Sequence, residues 1–265
     1  MPKTDEDQQA IQRDYYATTA FQYNHAHVNG GDSHSVALGY MSGLLTSIDA
    51  RSVLDVGSGT GRAASFLRQR HQDMLVVGVE PVIELLDRRD RQAGATYVCG
   101  SGLSLPFPDR SFDAVCATAL LHHVPDPARA VAEMTRVARK AVMISDANRF
   151  GQGSRMARLT KLAIWRSGCW PLYSWLRTRG RGYLYSVGDG VYYSYSIFDS
   201  APALDAWGNR TFVIPTTRGL RGGYRPLLTA PEGLFVAVRE ERHQAGDNDM
   251  LPSPRLPAAS ISSAR

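Results

Sequence analysis

Residues 5–24 (DEDQQAIQRDYYATTAFQYN) hold no glycine or proline, and Ile11, Tyr15, Tyr16, Phe21 and Tyr23 give them a loose apolar face, so the spacing predicts one helix. The stretch AHVNGGDSH interrupts it, and SVALGYMSGLLTSI predicts a second helix near 35–48. Val53, Leu54 and Val56 then form a short apolar run stopped by glycines, the pattern of a buried strand meeting a tight turn. From there the chain alternates. Helices predicted at 60–70, 81–92 and 127–138 separate strands at 74–79, 95–99, 112–117 and 140–145. Alternation of this kind argues a doubly wound α/β fold: a parallel sheet with right-handed crossovers and helices on both faces. After Asp146 the regularity stops. Residues 147–208 mix Trp165, Trp170 and Trp175 with many tyrosines, before two late strands at about 211–216 and 234–240. The expected organisation is a helical lid over 1–48, a ligand-binding core over 49–146, an aromatic and basic insertion over 147–208, and the last two core strands within 209–241. A tail over 242–265, rich in Pro, Ser and Ala without hydrophobic period, is expected to be disordered.

Composition narrows the class. At 265 residues, with 43% hydrophobic and 21% charged positions, the chain can build one large core, which excludes a fibrous or wholly disordered protein. Cys99, Cys116 and Cys169 lack the CxxC spacing of a zinc knuckle or redox pair, which fits a reduced compartment. The acidic N-terminus does not resemble a secretory signal, and no apolar run is long enough to span a bilayer, so a cytoplasmic protein without integral membrane contact is expected. Charge is uneven. The net charge is +5, yet between Arg149 and Gly182 lie Arg149, Arg155, Arg158, Lys161, Arg166, Arg177, Arg179 and Arg181 with no acid. That concentration suits an anionic acceptor, a solvated basic face or a membrane-surface helix.

The densest chemical signal is LDVGSGTG, residues 54–61, at the end of the first strand of the sheet. Gly57, Gly59 and Gly61 would let a ligand approach the backbone, but Arg62 stands where a dinucleotide fingerprint needs its third glycine. Glu80 ends the next strand, where an acid can accept both hydroxyls of a ribose. The combination points to a nucleoside site that makes no demand for pyrophosphate.

VLDVGSGTG, VVGVEP, LPFPDRSFDAV, LLHHVPDP and EMTRVARKAVMISD together cover residues 53–146 with gaps. In that order they resemble the class I S-adenosylmethionine-dependent methyltransferases, specifically the small-molecule enzymes related to ubiquinone and menaquinone biosynthesis and the natural-product sugar O-methyltransferases. The resemblance implies a Rossmann-like seven-stranded sheet with a reversed last strand, and S-adenosylmethionine as cofactor. It implies that Asp55, Gly57 and Gly59 line the methionine part and that Glu80 holds the ribose, with Ser58, Gly61, Pro81 and Leu120 expected among the cofactor-binding residues as well. The family's acid before LPF is missing. Ser101 and Gly102 are expected to meet the adenine instead. The Pro-Gly-Gly turn before the fifth strand is absent too.

His122 and His123 follow the fourth strand and Asp146 ends the fifth, so all three belong at strand tips beside the transferring methyl. The expected mechanism has His123, oriented by Asp146, as general base for O-methylation, with His122 packed or orienting beside it. Tyr15, Arg149, Arg177, Asp189, Tyr192 and Tyr193 are the candidate acceptor-binding residues, and the expected acceptor is a small anionic or sugar-containing specialised metabolite. N-methylation is the alternative chemistry. An RNA methyltransferase is disfavoured because LLHHV replaces the Asn/Asp-Pro-Pro motif, so no nucleic-acid partner is expected, and a homodimer is left open. A non-catalytic cofactor-binding protein is disfavoured by the intact His123 and Asp146, and a nicotinamide oxidoreductase by Arg62. The cluster His25, His27, Asp32 and His34 has no familiar metal spacing, so no metal is expected.

Overall fold

A computed structural model describes residues 4–28, 31–217 and 226–240; the tail over 242–265 lies outside the described residues. The helices are α1 (Asp5–Thr19), α2 (Tyr23–His27), α3 (Ser33–Ser47), α4 (Arg62–Arg70), α5 (Ile83–Leu86), α6 (Pro127–Val137), α7 (Arg155–Arg166), α8 (Trp170–Arg177), α9 (Ala201–Trp207) and α10 (Pro226–Thr229). The strands are β1 (Ser52–Val56), β2 (Leu75–Glu80), β3 (Thr96–Cys99), β4 (Phe112–Thr118), β5 (Ala138–Ala147), β6 (Leu184–Ser186), β7 (Gly190–Tyr192), β8 (Arg210–Pro215) and β9 (Glu232–Val238).

Seven strands form one sheet in the order β3-β2-β1-β4-β5-β9-β8, and β9 runs antiparallel to both β5 and β8. This is the expected doubly wound sheet with its last strand reversed. The order turns back between β1 and β4, and in open α/β sheets the ligand crevice opens at the carboxyl ends of such a pair. On one face Leu38, Met41, Leu45 and Leu67 bury themselves against the sheet; on the other Val131, Met134 and Leu204 do so. All five residues of β1 are buried, which explains its continuous apolar reading.

Two predicted helices are shorter than their pattern. The first ends at Thr19, passes through a 3-10 turn at Ala20–Gln22 and restarts as α2. The predicted helix over 81–92 reduces to the single turn α5 and a 3-10 turn at Arg91–Ala93, because Asp87, Arg88, Arg89, Asp90 and Arg91 supply no apolar stripe to bury. Within 147–208 the chain forms α7, α8, the β6–β7 hairpin and α9, and α9 packs on α6 as part of the core.

Candidate active site

β1 ends in three turns of backbone that only glycine adopts without strain. Gly57, Gly59 and Gly61 have φ of 71°, 54° and 87°, and a Cβ on Gly57 would lie 2.7 Å from Leu120 Cδ1. The amides of Gly57 and Ser58 donate to Val79 O at 2.9 and 3.0 Å, so the turn is tied to β2. At the tip of β2, Glu80 accepts from Gly59 N at 3.0 Å and from Val82 N at 3.1 Å. Burial pushes Glu80 up to about 7 against those two bonds. Burial also pushes Asp55 up to about 7; the Ala64 amide and the Cys116 thiol oppose the rise, and the charge of Glu80 adds to it.

Two cavities meet over this turn. The first, of about 110 Å³, is lined by Gly57, Glu80, Pro81, Ser101, Gly102 and Leu120 among the expected cofactor residues, and by Gln12, Tyr16 and Tyr23 of the N-terminal helices. The second, of about 430 Å³, is lined by Ser58, His122, Asp146, Arg149, Arg177, Asp189, Tyr192 and Tyr193. Tyr16, Tyr23, Gly57, Thr118, Ala119 and His123 line both and mark where a cofactor and an acceptor would meet. Ala119 holds a positive φ of 53° there, its amide donating to Ser145 O at 2.9 Å. Asp55, Gly59 and Gly61 line neither cavity. Asp55 is wholly buried behind the turn, with Oδ2 lacking a hydrogen-bond partner, and the Tyr23 hydroxyl sits 2.9 Å from where a Gly59 Cβ would stand.

The histidines divide their partners differently from the sequence expectation. Asp146 does not reach His123; it pairs with His122, whose Nδ1 lies 2.6 Å from Asp146 Oδ1. The Leu121 and Ala147 amides donate to the same carboxylate at 2.9 and 2.6 Å, so its orientation is fixed by backbone. Adjacent residues on a 3-10 turn (Leu121–His123) point in different directions, and no sequence pattern reveals which one meets β5. His122 is thereby held with Nδ1–H donating, leaving Nε2 toward the second cavity, 3.9 Å from Asp189 Oδ2. Burial works against its charge, yet Asp146, then Asp189 and Glu232, outweigh burial and raise it above the ordinary histidine value. His123 goes the other way. Its Nδ1 donates to Val191 O at 2.8 Å, its Nε2 lies 3.2 Å from the Tyr16 hydroxyl and 3.3 Å from Asp189 Oδ1, and burial followed by the charge of His122 lowers it.

His122, His123 and Asp189 bring one ligand atom each within 4.8 Å of one another, the one such grouping among the described residues that could hold a metal ion. In this arrangement the Tyr16 hydroxyl donates to His123 Nε2 and His122 donates to Asp146, while Asp189 Oδ1 lies 3.3 Å from His123 Nε2.

Of the acceptor candidates, all but Tyr15 line the second cavity. Tyr15 lines neither cavity and donates to Val187 O at 2.9 Å; its neighbour Tyr16 takes the place at the junction. Arg149 reaches the second cavity but is committed: buried, paired with Asp199, and stacked 4.5 Å over Trp170. Arg177 is exposed at the cavity's edge, Asp189 faces both histidines, and Tyr193 donates to Gln8 Oε1 at 2.7 Å. Gln12 was not legible at all. It accepts from Val191 N and donates to Asp189 O, tying α1 to the hairpin over the site, and nothing in its sequence neighbourhood marks it.

Residues 54–144 match the methyltransferase domain family. An uncharacterized methyltransferase of Mycobacterium sp. (strain JLS) is 47% identical over 96 residues, which are 36% of this chain and 37% of that protein. The demethylmenaquinone methyltransferase of Deinococcus radiodurans is 39% identical over 92 residues, 33% of this chain and 38% of that one. The chain thus matches little more than a third of the length of these relatives. The solved magnesium protoporphyrin IX methyltransferase of Synechocystis PCC 6803, with bound SAH, superposes with a TM-score of 0.57 over 88% of this chain and 100% of that one at 16% identity, a likeness of fold. Residues 54–144 thus form a methyltransferase domain, in a fold shared with solved methyltransferases.

Proposed function

We propose that the chain transfers a methyl group from S-adenosylmethionine to a hydroxyl of a small anionic or sugar-containing metabolite, with His122 rather than His123 as general base. The observation that carries this reading is the His122–Asp146 pair at 2.6 Å, with Nε2 turned into the cavity that joins the cofactor crevice at Gly57 and Ala119. The bound cofactor supplies an electrophilic methyl carbon on a sulfonium sulfur. Gly57, Glu80, Pro81, Ser101, Gly102 and Leu120 hold it, Glu80 having lone pairs left for ribose after its two backbone bonds. His122 Nε2 takes the hydroxyl proton as the oxygen attacks, and Asp146 stabilises the imidazolium that forms. Tyr16 and Tyr23 exclude water from the junction. Arg177 at the cavity edge supports an anionic acceptor, as does the surplus of cations in the insertion.

His122→Ala should lower kcat about 10²–10⁴-fold and leave S-adenosylmethionine affinity by calorimetry near native, because His122 does not line the cofactor cavity. Native turnover in a folded His122→Ala variant, assayed on a panel of hydroxylated acids and glycosides, would remove it as base.

A further inference from the structure

We infer that the α7–α8 face of the insertion docks on an anionic lipid surface. Thirteen large hydrophobic residues stand exposed among the described residues, and Met156, Leu159, Trp165, Leu172, Trp175, Leu176, Tyr185 and Val187 of them belong to this one insertion. Neither α7 nor α8 has a fully buried residue. The helices are fastened from within: Phe150 meets Trp165 at 5.5 Å and Trp170 at 6.2 Å, and Lys161 Nζ donates to Arg149 O at 2.8 Å. Their outward side therefore keeps Met156 at 73% exposure and Leu172 and Leu176 at 60%, with no partner among the described residues to cover them.

Charge selects the occupant. Of the eight cations in 149–182, Arg149, Arg158 and Lys161 bond inward to protein carbonyls or Asp199, while Arg155, Arg166, Arg177, Arg179 and Arg181 are exposed and none makes an ion pair among the described residues. A second copy would bring the same five cations against these five across a two-fold axis and repel them. An acidic protein would need a fitted pocket for every protruding Trp, Leu and Met side chain. A bilayer with anionic headgroups needs no such fit: the apolar side chains enter the acyl boundary while the arginines remain at headgroup level. The contact is superficial, since no helix among the described residues is long and apolar enough to cross a membrane. Arg177 and Leu184 also line the second cavity, so docking would bring its mouth to the lipid surface.

The test is co-sedimentation of the full chain with phosphatidylglycerol-containing vesicles and with pure phosphatidylcholine vesicles. Binding should be confined to the anionic vesicles and weaken as salt screens it. Arg155→Gln with Arg166→Gln should lower the partition coefficient about 30-fold, and Leu172→Ser with Leu176→Ser should also release the chain, both with S-adenosylmethionine binding retained as the control for folding. Failure to sediment with anionic vesicles, equal sedimentation with neutral ones, or a dimer in size-exclusion chromatography that the Leu172/Leu176 substitutions dissolve would each overturn the inference.

Discussion

At His122 a half-buried imidazole is kept basic by the acids that face it. Burial opposes the imidazolium, while Asp146 from β5, Asp189 from the hairpin and Glu232 from β9 favour it and outweigh burial. A base works in its neutral form, so the rate should rise with pH through a value above 6.5, the ordinary histidine value. Asp146→Asn removes the largest favouring charge. The rise should then move to lower pH and kcat should fall, because a base of lower pKa accepts the proton less readily. A pH–rate profile of both forms checks this, and an unmoved profile in Asp146→Asn would mean that the titrating group lies elsewhere. His123, with both nitrogens engaged and its value lowered, fits a positioning residue that carries α1 and β7 against the site.

Within the insertion one ion pair joins a buried arginine to an exposed acid. Arg149 and Asp199 face each other with Arg149 Nη1 also donating to Ser194 O, and burial moves both groups toward their neutral forms, so desolvation is the dominant electrostatic effect on each. Such a pair adds little net stability, but removing Asp199 strands the buried guanidinium, whereas removing Arg149 leaves a carboxylate that water reaches. Asp199→Ala should therefore lower stability by about 3–5 kcal/mol. Asp199→Ala combined with Arg149→Ala should cost less than the single change, read by denaturant unfolding. An Asp199→Ala variant as stable as the parent would show that Arg149 finds another partner. The seat of α1 depends on Gln12, whose two amide atoms join it to Val191 and Asp189 of the hairpin. Gln12→Ala should raise the apparent KM for both ligands more than it lowers kcat in steady-state assays, since it loosens α1 against the hairpin without touching His122.

Across the whole molecule, Asp55 and Glu80 put two carboxylates, each raised to about 7, at the glycine turn proposed to hold the sulfonium cofactor. Both values lie above the ordinary 3.8 and 4.5, so the unliganded fold prefers the protonated forms, and their contribution to stability declines as pH rises from about 4 to 7. A sulfonium ligand reverses that preference. Binding should release protons in mildly acidic buffer, and affinity should climb with pH and level off above about 7. Calorimetry in buffers of different ionisation enthalpy measures the release. Glu80→Gln should reduce the released protons and weaken binding by about 1.5–3 kcal/mol for bonds lost to a charged acceptor; unchanged values in the variant would place the ribose elsewhere.

The sequence by itself determined the sheet and its switch point. Apolar runs ending in glycine or an acid, at Val56–Gly57 and Val79–Glu80, are local signals of strands that stop at a ligand, and alternation with helices leaves few ways to order them. It also located the histidine pair and Asp146 at the strand tips. Only the tertiary structure decided that Asp146 serves His122, that Arg149 is spent on Asp199, and that Tyr16 rather than Tyr15 stands at the junction. Those choices turn on side-chain direction and on contacts between segments 24 to 107 residues apart in sequence, which period and composition do not encode.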